Sequence, residues 1–151
     1  MTDEKELTDR AGATAGLWDI VASGRNGILA TLTEDGSPHL TNVYYLCDLA
    51  EGRIRLSTTT VRAKGRNLLR EPRAALHVAG RDFFNFAVVE GPVTLAIARE
   101  PDDAAVEELF AVHSALGAAT EREGFGADMV ARHRMAVTIT VTRIYGQVLD
   151  R

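Results

Sequence analysis

Ser57, Thr58, Thr59 and Thr60 are followed by Arg62, Lys64 and then Asn67. Hydroxyl donors that meet cations where a strand gives way to a helix suit the binding of an anion. The first turn of a helix presents free backbone N–H groups and the positive end of its dipole. Charged donors add short, strong hydrogen bonds to phosphate oxygens. Seven of the 17 basic residues fall between Arg53 and Arg73, against one acid, Glu71; the rest of the chain holds ten basic residues and twenty acids. Spacing leaves two readings open. One is a phosphate cradle formed by Ser57, Thr58, Arg62 and Lys64, with Asn67 on the same helix. The other is a solvated, arginine-rich helix face.

Other chemistries have less to stand on. There is no His-x-His, Cys-x-x-Cys or His-Glu-x-x-His spacing, so no metal site is expected. Gly-x-Ser-x-Gly, Walker and Gly-x-Gly-x-x-Gly patterns are also missing, which removes the familiar hydrolase and nucleotide-fold signatures. Cys47, the single cysteine, follows an apolar strand with no neighbouring base and reads as a small buried residue. His113 falls on the apolar face of a helix and reads as packed, whereas His39 and His77 lie on strands. No side chain is assigned a catalytic role.

A chain of 151 residues, 46% hydrophobic and 25% charged, is one soluble domain by length and composition. Its net charge of −4 argues against general nucleic-acid binding. The start lacks an apolar leader and no long apolar run follows, so a cytoplasmic protein without membrane contact is expected. Residues 1–13 are expected to form a flexible tail ahead of a single domain over 14–151.

The elements that would position these residues are mostly strands. Leu17, Ile20 and Val21 mark a helix ending at Gly24. Residues 28–33 and His39 to Leu46 form a hairpin about Asp35-Gly36. Arg53 to Ser57 alternates as a third strand, and Ala74 to Ala79 as a fourth. A long strand over Phe84 to Ile97 is expected to bend or bulge at Gly91-Pro92. A helix opens at Pro101 with Val106, Leu109, Phe110, His113 and Leu116 on one face, and a shorter one covers Ala127 to His133. Met135 to Gly146 closes the chain as one alternating strand. The fold class is α+β, mainly antiparallel, with six or seven strands and about four helices.

Two stretches carry a family resemblance: Leu29-Ala30-Thr31-Leu32 through Asp35-Gly36-Ser37-Pro38-His39-Leu40-Thr41-Asn42-Val43, and Ser57 through Arg62-Ala63-Lys64-Gly65-Arg66-Asn67-Leu68 to Pro72-Arg73. Together with Phe86 to Gly91 and Ile144-Tyr145-Gly146, they resemble the pyridoxamine-phosphate-oxidase-like split β-barrel superfamily, and within it the branch that uses the deazaflavin F420. The resemblance spans roughly residues 15–149. It implies a six-stranded split barrel with flanking helices, paired as a homodimer, with cofactor sites between the subunits. It further implies that Arg62, Lys64, Ser57 and Thr58 hold the cofactor phosphate while Asn67 orients their helix. Asn42 and Val43 would present backbone groups to the ring edge, and Phe84 and Phe86 would wall the partner's site. Family members often carry Trp or Tyr at those two positions. The implied activity is hydride transfer from reduced F420 to an organic acceptor, a tetrapyrrole such as biliverdin or a quinone-like or unsaturated carbonyl compound, with a proton from solvent, Tyr44 or Tyr45. The alternatives are an FMN-dependent oxidoreductase and a cofactor- or tetrapyrrole-binding carrier.

Overall fold

The computed structural model describes residues 4–118 and 121–149, with side chains from residue 14 onward. The tail expected over 1–13 therefore lies largely outside the described residues; within it, only the backbone of 4–13 is given, as the first half of helix α1 (Glu4–Ser23). Leu17 and Val21 of α1 are buried. The helix stops before Gly24, where a Cβ would come within 2.6 Å of the Tyr45 hydroxyl. Strands β1 (Asn26–Leu32) and β2 (Pro38–Tyr44) then pair antiparallel over their full length, from Asn26 opposite Tyr44 to Leu32 opposite Pro38. Gly36 takes a φ of 86° in their turn, a conformation that favours glycine.

The strand expected over His39 to Leu46 breaks at Tyr45. Beyond it, β3 (Leu46–Asp48) pairs with β4 (Arg53–Thr59) instead of β1. Tyr45 is fully buried at the break, where its hydroxyl donates to the Val21 carbonyl at 2.6 Å. Helix α2 (Ala63–Arg70), strand β5 (Arg73–Ala79) and strand β6 (Phe86–Ile97) follow. Phe84 lies in the turn before β6 rather than at its start.

The predicted closing strand is also divided, into β7 (Arg134–Thr140) and β8 (Arg143–Gln147). Both run along β6: Val93 faces Ile139 and Glu90 faces Arg143. Two residues of β6 thus oppose three of the other strand, so the irregularity expected at Gly91-Pro92 places its extra residue on the partner. Val141 N–H turns away to the Gly52 carbonyl and Thr142 N–H to that of Glu90. Gly91 permits the close crossing, because a Cβ there would lie 1.9 Å from the Thr140 carbonyl oxygen. Two broken strands bring the expected six or seven to eight among the described residues.

Along the sheet the order is β2-β1-β5-β6-β7-β4-β3, with β8 beside β6. Its two end strands, β2 and β3, are consecutive in the chain and meet at Tyr45. The sheet must therefore curl back toward itself as a half-barrel, around a core that includes Leu29, Ile54, Leu56, Leu76, Val89 and Val137. A second apolar cluster, with Val106, Leu109, Met129 and Ala136, lies under helices α3 (Ala104–Ala115) and α4 (Phe125–Ala131). The predicted start of α3 shifts from Pro101 to Asp103, whose carboxylate accepts from the N–H groups of Val106, Arg99 and Glu100. Capping by this short acid prevails over proline at the first turn. Among the described residues, no helix is long and apolar enough to cross a membrane.

Candidate anion site

Gly65 brings α2 onto the end of β4: a Cβ at this position would sit 1.8 Å from the Thr59 carbonyl oxygen. The Thr59 hydroxyl accepts from the Arg62 N–H at 3.1 Å, which fixes the entry into the helix. Arg62 at the N-cap gives α2 no side-chain cap, and the first turn contains no acid. Its leading N–H groups are thus left for another acceptor. Asn67 is buried and secures the same helix from below: its amide donates to the Thr31 hydroxyl at 3.1 Å, and its carbonyl oxygen accepts from Arg70 at 2.9 Å.

Consecutive strand residues point to opposite faces, so Ser57 and Thr58 face different ways. Thr58 is 1% exposed and its hydroxyl has no hydrogen-bond partner. Ser57 turns toward α3. Its oxygen lies 2.9 Å from His113 Nε2 and 3.4 Å from an Arg134 terminal nitrogen. Arg134 arrives on β7, paired opposite Thr59, and its buried Nε–H is also without a partner. Unpaired buried donors are uncommon in folded proteins. The Arg134 Nε–H, on the Ser57 side of β4 and close enough to Arg62 to feel its charge, marks a place prepared for an acceptor, whereas the Thr58 hydroxyl points to the opposite, core face.

Electrostatics agree with this geometry. Burial, reinforced by Arg62 and Arg134, depresses the Lys64 pKa. Burial followed by Arg132 and Arg62 lowers that of Arg134, with Asp128 opposing. His113 is held below its ordinary value by burial first, then by Arg134 and Arg132, again against Asp128. Among the described residues, no carboxylate forms an ion pair with Arg62, Lys64 or Arg134. Crowded cations without a counterion favour a bound anion, which would relieve their repulsion. A phosphate fits this donor set.

The remaining predicted residues lie elsewhere on the fold. Asn42 and Val43, with Tyr44, His77, Ile28 and Ala79, line a groove of about 470 Å³. A second groove, about 620 Å³, is bounded by Leu32, Pro38, Arg73, Ala75, Glu90 and Pro92. Strand pairing puts both on the outer face of the β2-β1-β5-β6 sheet. Neither groove is lined by a residue of the cation cluster. Phe86 stacks on His77 with ring centres 5.3 Å apart, while Phe84 is 54% exposed beside Phe83, which is 89% exposed. Tyr45 cannot readily give a proton, since burial raises its pKa and its hydroxyl is engaged by Val21. Cys47 is half-buried, with burial and Asp48 pushing its thiol pKa up. Arg70 and Arg73 are held by Asn67, the Leu32 carbonyl and Glu71. Among the described residues, no group of three or more His, Cys, Asp or Glu could hold a metal ion.

Arg134 and His113 are the members of the cluster that the sequence did not disclose. The faint signals were an arginine at the head of an alternating strand and a histidine on an otherwise apolar helix face.

Residues 17–147 match the sequence pattern of the family described as pyridoxamine 5'-phosphate oxidase. The fold is similar to that of an F420 reductase, at 22% identity over 87% of this chain and 98% of that one, with a TM-score of 0.67. It also resembles a conserved hypothetical protein from Mycobacterium tuberculosis, at 26% identity, 95% and 83% coverage and a TM-score of 0.62. A heme binding protein from Mycobacterium smegmatis matches at 27% identity over 83% of this chain but 49% of its own length, with a TM-score of 0.60.

Proposed function

The chain belongs to the pyridoxamine 5'-phosphate oxidase family, and on that premise we propose a cytoplasmic, homodimeric oxidoreductase that holds a flavin-type cofactor, F420 in preference to FMN. The observation that carries the reading is the cation cluster: Arg62, Lys64 and Arg134 gathered beside an uncapped helix, with no carboxylate ion-paired to them among the described residues. Arg62, Lys64 and the first-turn N–H groups of α2 hold the cofactor phosphate. Ser57 and Arg134 complete the donor set, Thr58 facing the core instead, and Asn67 keeps the helix in register with β1. When bound, the tricyclic ring supplies hydride transfer to a small organic acceptor. The protein binds, orients and excludes water, so no nucleophilic side chain is required. Tyr44, 70% exposed beside Asn42, and solvent are the proton donors in this reading.

The homodimer in this reading rests on the outer sheet face. Ile28, Leu40, Tyr44 and Tyr145 are all exposed there, Leu40 to 65%, and Asn42 and Val43 line a groove on the same surface. Covering this face with a second copy buries its apolar side chains and brings Phe84 and Phe86 of one subunit toward the ring site of the other. The F420 preference is supported by the likeness to an F420 reductase and by Arg55 and Arg66, cations of the basic segment available to an acidic cofactor tail. Titration with F420 and FMN side by side, followed by turnover of pre-reduced F420 with a panel of acceptors including biliverdin, tests the proposal. Binding of neither cofactor would end it. A second reading, a carrier without turnover, is favoured by the likeness to the heme binding protein; tight binding with no acceptor reduced would select it.

A further inference from the structure

His113 enters the anion site through Ser57. Its Nε2 lies 2.9 Å from the Ser57 oxygen, onto which Arg134 also points at 3.4 Å. The histidine is wedged between elements. Phe125 of α4 packs edge-on against its ring at 5.5 Å, β4 supplies Ser57, and β7 supplies Arg134. The charged groups that act on it are Arg134, Arg132 at the end of α4, and Asp128 within α4. Two cations therefore oppose one acid around a half-buried imidazole.

The hydroxyl hydrogen of Ser57 has two possible destinations. If His113 Nε2 is unprotonated, Ser57 donates to it and accepts from Arg134, and its hydrogen is consumed inside the protein. If Nε2 carries a proton, in the imidazolium or in the neutral Nε2–H tautomer, His113 donates to Ser57, whose hydrogen is then free to reach an anion. A phosphate bound among Arg62, Lys64 and Arg134 offsets the two arginines that disfavour imidazolium, and thereby favours the second arrangement.

Resting on the phosphate-site reading above, we propose that His113 is a positioning residue that takes up a proton from solvent when the phosphate-bearing ligand binds, turning the Ser57 hydroxyl outward toward it. Neutral with the site empty and cationic with it filled, His113 couples ligand affinity to pH. Affinity is then highest below the ligand-free histidine pKa, declines as pH rises through the interval up to the ligand-bound value, and is flat above it.

The test is NMR titration of the imidazole signals of His39, His77, His113 and His133, with and without saturating FMN or F420; His113→Gln identifies the relevant resonance. The ligand should raise the His113 pKa by about 1 unit or more, the usual effect of an opposite charge within a few ångströms. Calorimetry in buffers of different ionisation enthalpy should show net proton uptake that His113→Gln abolishes, and comparison with that variant cancels the titration of the ligand itself. An unmoved His113 pKa, or the same proton uptake in His113→Gln, overturns the proposal. These outcomes are separable from failure of the phosphate site: in that case riboflavin, which lacks the phosphate, would bind as tightly as FMN.

Discussion

Replacing Lys64 with methionine keeps the aliphatic stem and removes only the charge. In the ligand-free protein that charge is unfavourable, because burial, Arg62 and Arg134 all lower the pKa of Lys64 from 10.5. A lysine whose folded-state pKa is depressed is penalised while protonated, and the penalty fades as pH rises through the folded value toward 10.5. At neutral pH, Lys64→Met should therefore leave the ligand-free Tm unchanged or raise it. Ligand binding should respond in the opposite direction. Loss of one charge-assisted hydrogen bond to phosphate is worth about 1.5–3 kcal/mol, or roughly 10- to 150-fold in Kd. Thermal melts with and without cofactor, together with a fluorescence titration, measure both quantities on one preparation. A lower ligand-free Tm with unchanged affinity would refute the reasoning and make Lys64 a structural residue.

Tyr45→Phe removes the short hydrogen bond to the Val21 carbonyl at the β2–β3 break and leaves that oxygen only the longer, 3.4 Å contact from the Gly24 N–H, and chemical denaturation should show a loss of about 0.5–1.5 kcal/mol. The ligand-free protein should lose stability as pH falls below 6.5, where the unfolded chain protonates a histidine that the fold holds neutral at His113; the slope of Tm against pH should flatten in His113→Gln. Leu40→Asp on the outer sheet face should convert the proposed dimer to a monomer in analytical ultracentrifugation, and an unchanged sedimentation coefficient would count against that interface. F420 should bind more tightly than FMN at low salt, with an advantage that narrows as ionic strength screens half-buried Arg55 and exposed Arg66.

Much of the architecture was legible because its signals are local. Asp35-Gly36 between two apolar alternations specifies the β1–β2 hairpin, and the run from Ser57 to Asn67 marks the strand-to-helix junction. The strand breaks at Tyr45 and Val141-Thr142 were not legible. Each continues an apolar alternation, and the chain departs from it only because a distant segment offers another partner: the Val21 carbonyl for Tyr45, and the Gly52 carbonyl for Val141. The site divides the same way. Arg62, Lys64 and Asn67 share one helix and can be read from spacing. Arg134 and His113 reach Ser57 across separations of 77 and 56 residues, which strand pairing and helix packing create and periodicity does not encode. The opposed directions of Ser57 and Thr58 were implicit in strand alternation, but only the packing of α3 shows that Ser57 is the one enlisted by His113.

The central claim is that the cluster around Arg62, Lys64 and Arg134 holds the phosphate of a flavin or deazaflavin cofactor. The most direct measurement compares the dissociation constants of F420, FMN and riboflavin for the parent protein and for Arg62→Ala/Lys64→Ala. The parent should bind the two phosphate-bearing cofactors far more tightly than riboflavin, and the double variant should lose about 2–5 kcal/mol of that binding while its riboflavin affinity stays the same. Equal affinity of the parent for FMN and riboflavin, or parent-like F420 and FMN binding by the double variant, would contradict the account.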